Sequence, residues 1–108
     1  MSADNGIYIL KTQHRFKLGV FEWRVAECTN SENFTIDTSS AEPLWNLPYV
    51  WNYFSKAEVH VSEEAALQQA LALYEKCTIC EYGIRPITMN QPFPIREEAA
   101  TMKGWLIL

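Results

Sequence analysis

Four consecutive residues, Ile7-Tyr8-Ile9-Leu10, constrain this chain more than any other stretch, because all four are apolar and they follow Asp4-Asn5-Gly6 directly. Side chains alternate between faces along a strand, so an unbroken apolar run puts apolar groups on both faces. The run predicts a central strand covered on both sides. Asn and Gly tolerate positive φ and Asp bonds its own backbone, so Asp4-Asn5-Gly6 predicts a turn into that strand. Residues Val20 to Glu27 alternate instead, with Phe21, Trp23 and Val25 on one face and Glu22, Arg24 and Ala26 on the other. They predict a partner strand with one face buried and the other largely wet, joined to the first by a hairpin whose tip lies near Gln13 to Arg15.

Caps and periods give the remaining elements. Pro48 suits the first turn of a short helix through Phe54, since its missing N–H would be unpaired there anyway. Lys56 to Val61 predicts a short strand with Val59 and Val61 inward. Ser62 is a good N-cap, Glu63 and Glu64 complement the helix dipole, and Ala66, Leu67, Ala70, Leu71 and Tyr74 keep amphipathic spacing over residues 63–76. That stripe, Leu71 included, is expected to pack on the sheet. Glu81 to Met89 predicts a further strand, which Pro86 confines to an edge or a bulge. Pro94 and Gly104 bracket a short helix at 95–103, and the apolar Trp105-Leu106-Ile107-Leu108 predicts a docked tail. Residues 28–47 carry Asn, Ser, Thr and Asp with little period and read as a long loop or an irregular insertion. The fold class is α+β: a small antiparallel sheet, built from the N-terminal hairpin and later strands, packed against one main amphipathic helix with short extra helices.

A chain of 108 residues has room for one domain, spanning 1–108. With 48% hydrophobic and 20% charged residues it is globular in composition, not disordered. No run approaches the roughly 20 apolar residues of a membrane-spanning helix, and the start lacks the basic-then-apolar order of a signal peptide. The expectation is a cytoplasmic protein with no membrane association. The formal charge of −4 is unevenly spread: residues 1–24 sum to +2, residues 25–81 to −7 and residues 82–108 to +1. Nucleic-acid binders present a basic face, so this balance argues against DNA or RNA, despite the local cluster Lys11, His14, Arg15 and Lys17.

Cys77 and Cys80, spaced three apart, are the one motif with chemical promise. A closed zinc site needs four ligands, and only Cys28, His14 and His60 remain to complete it, so no metal is expected. A redox pair would open a helix after a strand, whereas this one follows a helix. Glu58 and His60 share one strand face as an exposed pair. Four glycines leave little scope for a phosphate loop, and no Ser-centred nucleophile elbow is present, so the chain reads as a binder and not an enzyme, with no cofactor.

Aromatic residues are densest between Trp45 and Phe54. On a helix, Leu47, Val50 and Phe54 form one line and Trp45, Tyr49 and Tyr53 another. If the first line is buried, the second faces outward as a partner-binding row, with Glu58 and His60 as the next candidates. The alternative folds the preceding loop over these rings and makes them core.

The segments MSADNGIYIL at the start, NYF followed by valines at 52–61, EEAALQQALAL at 63–73 and EYGI at 81–84 resemble a group of small proteins encoded by tailed bacteriophages and prophages. The resemblance covers most of the chain in the same order, and its N-terminal segment is the most specific part. It implies a viral setting and carries no catalytic residues with it. The expectation is a small phage accessory protein that binds a host bacterial protein in the host cell cytoplasm, most plausibly inhibiting a defence system such as CRISPR–Cas. The alternative is a small-ligand module that sequesters a nucleotide signal with Asp4, Asn5, His14 and Arg15. Nothing in the pattern fixes an oligomeric state.

Overall fold

The computed structural model describes residues 5–29, 35–36, 44–77, 80 and 83–101. In chain order its elements are β1 (Gly6–Gln13), β2 (Phe21–Cys28), the two-residue strands β3 (Thr35–Ile36) and β4 (Leu44–Trp45), helices α1 (Leu47–Phe54) and α2 (Glu63–Lys76), β5 (Ile84–Pro92) and α3 (Arg96–Thr101). The main sheet has the order β2-β1-β5, and β3 pairs with β4 separately. The fold is α+β, and β1 is its central strand as the apolar run requires.

Both faces of β1 are covered. Tyr8 and Leu10, with Cys28, Ile87 and Met89 of the neighbouring strands, pack against Leu47, Val50 and Phe54 of α1. Ile7, Ile9 and Val25 point the other way and meet Ala66 and Ala70 of α2. Helix α1 starts where Asn46 accepts the Tyr49 N–H and Pro48 occupies the first turn, and α2 starts where the Ser62 hydroxyl accepts from Ala65 at 3.2 Å. The face of β2 expected to be wet is not: Ala26 and Cys28 join the α1 cluster, and Glu22 and Arg24 are half-buried.

Four expectations need correction. The sheet is mixed, because β5 runs parallel to β1 in a register from Ile7↔Ile84 to Lys11↔Thr88 while β1 and β2 are antiparallel. A parallel neighbour needs a crossover, and α2 supplies it by lying across the sheet between the strands. On α2 only Ala66 and Ala70 are buried, and Leu67, Leu71 and Tyr74 are each more than two-fifths exposed. A narrow sheet of three strands covers less of the helix than its apolar stripe spans. Residues 56–61 make a single bridge, His60 to Trp23, in place of a strand, and Val59 and Val61 face out. Finally Gly6 lies inside β1 and is not one of the positive-φ glycines, which among the described residues are Gly19 and Gly83. Gly6 is needed instead by its neighbour, since a Cβ there would lie 2.8 Å from the Tyr8 ring. Asp4 and the apolar tail from Trp105 onward lie outside the described residues.

Pro86 is tolerated for a legible reason. The Ile7 N–H donates to the Gly83 carbonyl at 2.8 Å, and in a parallel ladder this turns the nitrogen of residue 86 to the free edge of β5. The missing N–H is lost where no strand would have used it.

The two packing faces predict opposite outcomes for two leucines. Leu47 is fully buried, so Leu47→Ala is expected to cost about 2 to 5 kcal/mol in urea unfolding. Leu71 is exposed, so Leu71→Ala is expected to change stability by no more than about 0.5 kcal/mol.

Candidate functional site

The loop between β1 and β2 is exposed apart from the half-buried His14, and hydrogen bonds within it help to order it. His14 N–H donates to the Val20 carbonyl at 2.8 Å, and His14 Nδ1 accepts from the N–H groups of Phe16 and Lys17, both at 3.1 Å. An accepting Nδ1 leaves the proton on Nε2, which faces Glu22 Oε2 at 4.0 Å. Gly19, at φ +79°, closes the turn back into β2. The ordered tip holds Phe16 and Leu18 out in solvent, at 85% and 104% relative exposure.

Helix α3 clasps the other side of the tip. Arg15 Nη2 lies 2.5 Å from Glu98 Oε1 and also donates to the Phe93 carbonyl at 3.0 Å. The same Glu98 oxygen accepts the Ile95 N–H at 3.0 Å, which caps the start of α3. The Arg15 hydrogen bond, and after it the Ile95 N–H, hold the Glu98 carboxyl below its ordinary value. The clasp therefore holds at neutral pH and is lost as pH falls through that lowered value.

Between tip and helix lies an open groove of about 540 Å³. Its floor is a stack: the Arg24 guanidinium sits 4.1 Å over the Phe93 ring, and Trp51 stacks on Phe93 with centroids 5.8 Å apart. Arg24 also reaches Thr12 Oγ1 at 3.4 Å and Glu22 at 3.7 Å; burial lowers its pKa and Glu22 opposes the shift. Phe16, Val59 and Ile95 give the groove apolar walls, and Arg15 and Arg96 give it a cationic rim.

The structure brings His14 and Arg15 together at this groove, and it puts Asn5 at the opposite end of β1 with its Oδ1 buried and unpartnered among the described residues. The four-residue ligand set Asp4, Asn5, His14 and Arg15 is thus not gathered at one place, and Asp4 lies outside the described residues. Tyr49 and Tyr53 are half-buried, 4.8 Å apart between ring centroids. Their hydroxyls turn onto Thr29: Tyr49 donates to its carbonyl, and Tyr53 pairs with its Oγ1 at 2.6 Å. The row is therefore less open than its spacing implies. Trp45 belongs to β4, and its side chain lies outside the described residues. Glu58 is exposed, while His60 is held between Trp23, by two backbone bonds of 2.8 and 3.0 Å, and Gln69 Oε1, 2.5 Å from its Nε2.

Cys77 Sγ approaches Glu27 Oε2 at 3.8 Å and Cys80 Sγ the Gly83 carbonyl at 3.7 Å. Among the described residues no three His, Cys, Asp or Glu side chains gather as a metal site would need. The residues that sequence reading passed over are Phe16, Leu18, Phe93 and Arg96, while Trp51 falls inside the aromatic stretch but on neither of its two lines. A signal for the first two existed in HRFKLGV, where apolar residues alternate with cations between two strands. No protein-family model, curated protein or solved structure matches the chain.

Two predictions follow from these environments. Replacing His14 with Ala removes the acceptor for two N–H groups that water can reach, so amide exchange at Phe16 and Lys17 should quicken with little change in Tm, and His14→Asn should restore protection. Burial first, and then the charge of Glu27, push the Cys28 thiol up to about 12. The fold favours the neutral thiol, so that stability is present below the ordinary thiol value of about 8.5 and is lost as pH rises toward the raised one. Titrated unfolding should show Cys28→Ala flattening the alkaline decline by up to about 1.4 kcal/mol per pH unit.

Proposed function

We propose that this chain is a small phage accessory protein that acts in the host cytoplasm by binding a host protein, without catalysis. The target class we propose is a bacterial defence system such as CRISPR–Cas, inhibited by occupancy. The observation that supports binding is the ordered hairpin tip, which keeps Phe16 and Leu18 in water beside an aromatic and arginine-lined groove. Holding two large apolar side chains out costs hydrophobic free energy that a partner surface recovers, and aromatic and arginine side chains dominate interface energetics. The viral setting rests on the sequence resemblance to phage proteins, and the defence target on that setting together with a small single-domain size that suits stoichiometric inhibition.

The test is plating. Bacteria carrying an active CRISPR–Cas system against a challenge phage should yield far more plaques when they express this chain. Phe16→Asp with Leu18→Asp should abolish the gain while the purified variant keeps its circular dichroism spectrum. No gain with the wild-type chain in hosts covering the known system types overturns the defence reading. Sequestration of a nucleotide signal is the second reading, favoured by the three guanidinium groups that line the groove, Arg15, Arg24 and Arg96. Calorimetric heat with any of a panel of cyclic nucleotides would promote it, and silence would remove it.

A further inference from the structure

The charge around the groove is not committed evenly. Arg15 is taken by Glu98, and Arg24 by Glu22, Thr12 and the Phe93 ring. Lys17 on the tip and Arg96 at the start of α3 have no ion pair among the described residues. One uncommitted cation, Arg96, thus lines the groove, and a second, Lys17, follows the lining residue Phe16 on the exposed tip, in a chain whose formal charge is −4. Phe16, Val59 and Ile95 line the same groove and offer aliphatic and aromatic surface that water wets at a cost.

Resting on the reading of the chain as a protein binder, we infer that this groove takes an acidic, apolar segment of the partner protein. A large apolar side chain of that segment lies against Phe16 and Ile95, and its flanking carboxylates meet Lys17 and Arg96. The Arg15–Glu98 pair shows that the rim already seats a carboxylate on a guanidinium in this geometry. Complementary charge sets orientation and on-rate, and the apolar insertion supplies the affinity. A small molecule would leave Leu18 bare, whereas a protein surface covers it.

The experiment uses the full chain and fluorescence anisotropy with two dye-labelled peptides. Both have a phenylalanine-leucine centre; one is flanked by aspartate and glutamate, the other by lysine. The acidic peptide should bind, more weakly as salt is raised, and the basic one should not. Arg96→Glu and Lys17→Glu, both at exposed positions, should each weaken the acidic peptide by about tenfold or more and together bring the basic one on. Equal binding of both peptides, binding of neither at millimolar peptide, or tighter binding of a labelled single-stranded DNA overturns the inference. A chain that protects phage in plating but ignores the acidic peptide loses this inference and keeps the function. One that binds the peptide but protects nothing keeps the inference and loses the defence reading.

Discussion

Apolar side chains on both faces of one central strand set the conditions that every other element here has to meet. Ile7 and Ile9 need cover on one side, Tyr8 and Leu10 on the other, and no single helix can supply both. The two helices divide the work unequally. Helix α1 is short, and it covers its face with Leu47, Val50 and Phe54, all fully buried. Helix α2 is longer yet meets the sheet through Ala66 and Ala70, small residues that let the helix axis lie close to the strands. A close helix over a narrow sheet leaves its larger apolar residues hanging beyond the edge, which is where Leu67, Leu71 and Tyr74 are found.

The same geometry strands the hairpin tip. None of the seven residues from His14 to Val20 is buried in the core. What orders them is polar: the His14 ring against two N–H groups nearby, and Arg15 against the distant α3 carboxylate. Polar anchoring of this kind fixes backbone without burying side chains. Phe16 and Leu18 are therefore displayed by a scaffold and are not left over from a failed core. The groove floor obeys the same logic, since Phe93 is gripped between Arg24 and Trp51 and cannot swing out to fill the space above it.

The elements legible in the sequence were those whose signals are local. Helix α2 begins at its Ser62 cap and ends at Lys76 because the cap and the period both sit within the segment, and Pro48 and Pro86 mark a first turn and an edge by what their rings forbid. Central placement of β1 was legible because two-sided burial is written into four adjacent residues. The parallel pairing of β5 was not, since nothing in a strand's own composition records the direction of a neighbour more than seventy positions away. Nor was the buried face of α2, where both candidate faces are apolar and the width of the sheet decides between alanine and leucine. The groove draws on residues 14–24, 51–59 and 93–96, so no window of the sequence contains it.

Charge is the one property of the groove that the sequence carried whole, and the fold converts it from a chain pattern into a spatial one. The first segment sums to +2 and the last to +1, with −7 between them. The clasp of Arg15 on Glu98 joins the first segment to the last, while three acids of the middle, Glu63, Glu64 and Glu75, are exposed on α2, on the far face of the sheet from α1. An acidic protein thereby acquires one cationic end. Its field falls off within about 10 Å at ordinary ionic strength, so it acts on a partner only at close approach, turning the tip toward negative surface and the α2 face away from it. Net charge alone hides this asymmetry, which appears only when the segment-by-segment distribution is read on the fold.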